Sequence, residues 1–193
     1  GRVTDKGKVS GSARTLKEVV TLDLWQRHLT GHEGLGIVPI TDDATCYWGA
    51  LDIDTYDLNL EQLEAKVRRF QLPLVVCRTK SGGAHLFLFF KDEVRASFVR
   101  DTLMEWAVLL GYPRVEIFPK QNELAGEDDC GSWLNMPYFD GERTTRYAIY
   151  LGEMLTTEEF LNHADVMATT EIYVKTIKSP GAADEDEDFR GGP

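Results

Sequence analysis

Two carboxylates, Asp52 and Asp54, stand two residues apart in the otherwise apolar run Trp48-Gly49-Ala50-Leu51-Asp52-Ile53-Asp54. In an extended strand side chains alternate between faces, so both acids share one face while Leu51 and Ile53 take the other. Two like charges on a buried strand repel each other and cost stability unless something neutralises them. A divalent cation such as Mg²⁺ or Mn²⁺ does so, because hard oxygen ligands suit it. The plainer alternative is a solvated strand end with Asp54 in a turn. A third carboxylate, Glu116, lies in Val115-Glu116-Ile117, where its neighbours face away from it on a strand. The run Ser81-Gly82-Gly83-Ala84-His85 adds a hydroxyl, an open turn and an imidazole. Glycines there permit positive φ, so successive N–H groups can converge on an anion. Each piece alone has an ordinary reading: a hairpin turn, a satisfied strand histidine, a solvated edge glutamate. Together they make the arrangement needed to hold a metal-chelated triphosphate.

The elements that must position these groups are legible as an alternation of helices and strands. Residues 21–29 read as a helix capped by Thr21, with Trp25 and Leu29 on one face. Residues 34–40 and 46–53 read as strands of one hairpin that ends in the two aspartates. A helix follows over 59–70, with Asn59 and Gln62 in capping-box spacing. Strands over 74–79 and 84–90 flank the turn 80–83. The pattern then predicts a long helix over 93–110 stopped by Gly111, and a short strand over 114–118 centred on Glu116. A polar loop over 119–132 leads to strands over 133–138 and 145–151, and Thr156 with Glu159 opens a last helix to about residue 164. Hairpins mixed with helices point to an α+β fold rather than a doubly wound parallel sheet. The expected organisation is a flexible segment over 1–20, a catalytic core of two tightly joined lobes over 21–165, and an extension over 166–193.

Composition narrows the classes. The 193 residues are 42% apolar and 27% charged, ordinary for a globular chain able to bury a core. No apolar run reaches the roughly 20 residues of a membrane span, and no secretory signal opens the sequence. Cys46, Cys77 and Cys130 have neither disulfide-framework nor zinc spacing, so no zinc and a reducing cytoplasm are expected. The net charge of −11 argues against a general nucleic-acid coat, although the block Asp184-Glu185-Asp186-Glu187-Asp188 reads as a solvated, disordered tail that carries much of it. The chain opens on Gly1 and ends in Gly191-Gly192-Pro193, and a piece of a longer or processed protein is the expectation.

The combined motifs resemble the archaeo-eukaryotic primase superfamily. The resemblance rests on Leu51-Asp52-Ile53-Asp54, on Ser81-Gly82-Gly83-Ala84-His85 and on Val115-Glu116-Ile117. Its context is Val75-Val76-Cys77-Arg78-Thr79-Lys80, Phe118-Pro119-Lys120-Gln121 and Gly131-Ser132-Trp133-Leu134-Asn135-Met136-Pro137-Tyr138-Phe139. It spans about residues 20–165 and looks most like primase-polymerase domains of bacteriophages and of TOTE conflict systems, with Glu in place of the commoner Asp as third acid. The resemblance implies an RRM-like palm sheet carrying the acids, joined to a smaller N-terminal α/β lobe. It implies a template-dependent nucleotidyltransferase acting on NTPs or dNTPs over single-stranded DNA, with Asp52, Asp54 and Glu116 holding two Mg²⁺ or Mn²⁺ ions. Ser81, Gly82, Gly83 and His85 would grip the nucleotide's phosphates, helped by Arg78, Lys80 and Lys120. Asn135, Trp133 and Tyr138 are candidates for base or sugar contact, and Arg143 and Arg146 for template phosphates. A bacterial or phage-encoded cytoplasmic protein is implied, with a helicase or priming module as partner and no membrane. The rival readings are a metal-dependent nuclease or phosphodiesterase using the same acids, and a non-catalytic nucleic-acid-binding domain of primase shape.

Overall fold

The computed structural model describes residues 15–177 apart from Tyr56 and Glu142, together with two short strands near the start. In chain order the elements are β1 (Arg2–Val3), β2 (Val9–Ser10), α1 (Leu22–Leu29), β3 (Gly36–Ile37), β4 (Thr45–Ile53), α2 (Leu60–Arg69), β5 (Leu74–Arg78), β6 (Ala84–Arg95), α3 (Ala96–Leu110), β7 (Glu116–Phe118), β8 (Leu134–Asn135), β9 (Ala148–Tyr150), β10 (Glu153–Met154), α4 (Thr157–Met167) and α5 (Glu171–Thr176). Much of the expected loose start, and the whole acidic block 184–188, lie outside the described residues.

Six strands form one sheet in the order β10-β9-β5-β6-β4-β7, every neighbouring pair antiparallel. The period-2 alternation in β4 sorts its side chains as expected. Leu51 and Ile53 are fully buried against Leu63 and Val67 of α2 and Val99 and Leu103 of α3. The opposite face carries Ala50 with Phe87, Val75 and Phe118, covered by Trp25 and Leu29 of α1 and by Leu134 of β8. Burying each large aliphatic side chain stabilises the fold by roughly 1.5–3 kcal/mol. The chain is thus mixed α+β, with helices on both faces of an antiparallel sheet.

Local signals place most elements. Thr21 caps α1 through Leu24 N, and Asn59 caps α2 through Gln62 N. Thr156 and Glu159 form a reciprocal capping box at α4, and Gly111 ends α3 in the left-handed region at φ 87°. Four expectations are corrected. Residues 93–95 continue β6 rather than starting α3, because pairing with β4 resumes beyond a register shift between Cys46 and Trp48. Residues 36–37 do not form a hairpin with β4. They pair with β8, Gly36 opposite Asn135, and only an isolated Ile40–Cys46 bridge joins the expected hairpin. Residues 133–138 and 145–151 contain shorter strands than the pattern suggests. The fold also continues past residue 165. Thr169 exchanges backbone hydrogen bonds with Phe89 and Lys91, and Val174 of α5 is buried in the core.

His28 fastens α1 to the β3–β8 ribbon. The Leu35 N–H donates to His28 Nδ1 at 2.9 Å, so the proton sits on Nε2, which donates to the Pro137 carbonyl at 2.7 Å. The ring is fully buried, and that desolvation holds its pKa below the ordinary 6.5. The native state therefore resists a proton that the unfolded chain accepts. Stability from this group is complete above about pH 6.5 and declines as pH falls below it, until the lowered native pKa is reached. His163, its ring tilted against that of Tyr150 and its pKa also held down by burial, acts in the same direction. His28→Ala orphans two buried groups at about 1–3 kcal/mol each. Urea denaturation is expected to show a wild-type advantage over His28→Ala that is larger at pH 8 than at pH 5.

Candidate active site

The register of β4 places two of the three sequence-predicted acids, Asp52 and Glu116, in one line. Asp52 lies directly opposite Glu116 of β7 on one side and His85 of β6 on the other, and His85 lies opposite Cys77 of β5. Directly opposed residues on one sheet face have Cβ atoms about 4.5–5.5 Å apart. Asp52 Oδ1 is 3.3 Å from His85 Nε2. Glu116 Oε2 is 2.8 Å from Lys120 Nζ, whose ammonium also sits 5.0 Å from the Phe118 ring centre. Arg100 donates to the Pro119 carbonyl at 2.7 Å and steadies the backbone between Phe118 and Lys120. Asp54 is exposed beyond the strand end, and Ser81 Oγ lies 3.4 Å from its Oδ1. Asp52, Glu116 and His85 thus stand in one row of the sheet, and Asp54 lies beyond the end of β4 beside Ser81 of the bend. Cys77, in the same row, is a buried thiol whose pKa burial pushes up, so it stays protonated.

The two glycines of the bend do different work from that expected. Gly82 takes φ 92°, but its N–H donates to the Thr79 carbonyl at 3.2 Å and closes the turn rather than facing an anion. Gly83 is needed for close approach: a Cβ there would fall 2.2 Å from the Ile53 carbonyl oxygen. That contact presses the bend against the backbone immediately before Asp54.

Beside the row opens a cleft of about 450 Å³, lined by Asp52, His85, Glu116, Phe118, Lys120, Ser132, Trp133, Leu134, Asn135, Gly131 and Thr15. This lies within the size range of small-molecule sites. A hollow of about 530 Å³ elsewhere, between the end of α2 and α5, is lined by Arg68, Lys91 and Tyr173 and contains no carboxylate. Asn135 and Trp133 are exposed in the cleft. Thr15 was not anticipated, since it sits in no patterned stretch, and Ser132 lies in the Gly131–Phe139 stretch without being a candidate there.

Other candidates fall elsewhere. Tyr138 is a core residue, 3% exposed, and not a nucleic-acid contact. Its hydroxyl donates to the Leu155 carbonyl and accepts from Ala148 N, and burial pushes its pKa up. Arg146 is half-buried, with its guanidinium 5.5 Å from the Phe139 ring centre and one nitrogen buried without a partner, so it does not present its charge to a template. Arg143 is exposed beside Asp140, and Lys80 is exposed in the bend. Arg78 donates to the Thr145 and Thr79 carbonyls and holds the end of β5 to the approach of β9.

The family model for the archaeo-eukaryotic primase domain of TOTE conflict systems matches residues 3–175. The chain belongs to that family. The match takes in the acid row, the 81–85 bend, the cleft and α4, and most of α5. No curated protein matches it significantly. Among the described residues no helix is long and apolar enough to cross a membrane.

The primase-family site leaves no room at Gly83. Gly83→Ala forces two strands apart at a backbone contact and is expected to cost at least the roughly 1–3 kcal/mol of an overpacked core. Gly82→Ala is expected to cost about 1–2 kcal/mol through its left-handed φ alone. Thermal melts of both variants check the order.

Proposed function

We propose that this primase-family domain is a template-dependent nucleotidyltransferase that adds nucleotides from NTPs or dNTPs over single-stranded DNA and releases pyrophosphate. The observation that carries the reading is Asp52 flanked in register by Glu116 and His85, in a cleft that also holds Lys120. A reacting triphosphate needs hard-oxygen ligands for its counter-ions and cationic or donor groups for its phosphates, and one row supplies both.

The donor set fits Mg²⁺ or Mn²⁺. Asp52, Asp54 and Glu116 offer carboxylate oxygens, and no thiol lines the cleft. Among the described residues no three His, Cys, Asp or Glu side chains surround one point. Mg²⁺ is commonly held by one or two carboxylates plus substrate phosphates. When bound, two such ions supply activation of the attacking hydroxyl and charge stabilisation at the departing pyrophosphate.

The chain's own residues do the rest. Asp52 and Glu116, on adjacent strands, hold the ion-binding oxygens at a separation set by the sheet. Asp54 adds a third carboxylate from just beyond the end of β4. His85, with Nε2 beside Asp52, offers its ring N–H to a phosphate oxygen. Lys120 neutralises Glu116 and reaches the triphosphate from a long, mobile stem. Ser81 completes the bend at Asp54. Preorganised charges of this kind act where negative charge develops during transfer.

Asp52→Asn keeps the shape and removes the charge. Incorporation of labelled nucleotide on a primed single-stranded template, in Mg²⁺ or Mn²⁺, is expected to fall by at least about 10²–10³-fold. The melting temperature is expected to hold or rise, since like-charge repulsion is relieved. Wild-type protein that cuts DNA in the same buffer and incorporates nothing would instead establish the phosphodiesterase reading. Protein that binds single-stranded DNA and does neither would establish the non-catalytic one.

A further inference from the structure

Trp133 is exposed where a tryptophan is usually hidden. It is 39% exposed, whereas Trp106 is buried and Trp25 and Trp48 are half-buried. One face of its indole is seated on Gly36: a Cβ at Gly36 would fall 2.5 Å from Trp133 Cε3 and 3.1 Å from Cδ2. A strand glycine covered by a neighbouring aromatic ring is a known way of packing a ribbon. Packing explains the covered face. It does not explain why the ring borders the cleft that contains Asp52, Glu116, His85 and Lys120. Residues two apart on a strand share a face, and Asn135 joins Trp133 in the cleft while Leu134 between them is buried. One end of the cleft is charged and suited to phosphates, and this ribbon adds a flat aromatic surface with an amide beside it.

We propose that Trp133 is the stacking platform for the base of the incoming nucleotide, seated by Gly36 and accompanied by Asn135. The proposal rests on the nucleotidyltransferase reading and adds where the base lies. Every base has a π-face, so such a platform holds all of them and leaves the choice among them to the template. The contact is made in the ground state as well as during transfer, so it acts on nucleotide affinity rather than on the chemical step.

The test compares binding of ATP and of inorganic tripolyphosphate, both with Mg²⁺, to the wild-type chain and to Trp133→Ala. Stacking of one base predicts ATP binding weakened roughly ten- to a hundredfold in Trp133→Ala, with tripolyphosphate binding unchanged. Trp133→Phe is expected to retain most of the ATP affinity. ATP is expected to quench the tryptophan fluorescence of the wild type and not that of Trp133→Phe, a readout that needs no folded alanine variant. Equal ATP affinity in wild type and Trp133→Ala, or a quench that persists in Trp133→Phe, overturns the platform while leaving the phosphate site standing. Weakened binding of a single-stranded oligonucleotide with unchanged ATP binding assigns the ring to the template and also overturns it. A wild-type chain that binds neither ATP nor tripolyphosphate overturns the nucleotidyltransferase reading itself.

Discussion

The site depends on the register of β4 between β6 and β7. Five residues form a single line across the sheet: Glu116, Asp52, His85, Cys77 and Ala148. Directly behind it runs a second line, Phe118, Ala50, Phe87 and Val75, which is wholly buried. A slip of one residue in β4 would turn Leu51 and Ile53 out of the helix-covered core and drive Asp52 into it. Register is strongly specified wherever one face is buried. The packing of Leu51 and Ile53 under α2 and α3 is therefore what places the carboxylate of Asp52, although those side chains never meet the cleft. Gly49 belongs to the same device. A Cβ there would fall 2.4 Å from Val99 Cγ1, so its absence lets α3 lie close on the strand that bears the acids.

The row is also where the electrostatics are settled locally. Each acid has its own partner: Asp52 the imidazole of His85, Glu116 the ammonium of Lys120, Asp54 the hydroxyl of Ser81. Asp52, the more enclosed of the two strand-borne acids, faces an imidazole, and the more open Glu116 has a flexible lysine. Exposed pairs of the second kind hold weakly and exchange readily. A lysine that neutralises a carboxylate in this way can turn to a phosphate with little loss, whereas the strand-borne Asp52 and His85 stay in register. The charge of the whole chain says little about this arrangement, because it is set within one row of the sheet.

Sequence patterns conveyed the parts of this that are local. Alternation over 46–53 identified the strand and which side of it Asp52 takes, Thr21, Asn59 and Thr156 marked helix starts, and Gly111 marked an end. The family likeness brought Glu116 and the 81–85 bend to the same edge. What stayed hidden was long-range. Gly36 pairs with Asn135 across about a hundred intervening residues, and nothing near either residue announces its partner. The charged run Lys91-Asp92-Glu93 looks like the end of a strand, yet β6 continues through it because β4 resumes pairing beyond its register shift. Tyr138 is a candidate base contact in the sequence, but its hydroxyl serves the Leu155 carbonyl and the Ala148 N–H inside the fold. Gly83 looked like a residue chosen for its φ and proves to be one chosen for its missing side chain.

The cleft has two walls of different construction, and their relation rests on His28. One wall is the sheet row itself, built into the core. The other is the two-strand ribbon of β3 and β8, which carries Trp133 and Asn135 and is too short to be stable alone. That ribbon is bracketed by one buried ring: Leu35, just before β3, donates to His28 Nδ1, and Pro137, just after β8, accepts from Nε2. The backbone of α1 reinforces the bracket, with the His28 and Leu29 carbonyls accepting from Asp140 and Gly141. Only the neutral imidazole can accept on one nitrogen while donating from the other, so a proton gained at Nδ1 would break the link to Leu35. The burial that keeps this ring neutral thus also keeps the aromatic wall at its distance from the acids. A fold-stabilising histidine with no metal spacing in the sequence is in this way part of the geometry of the site.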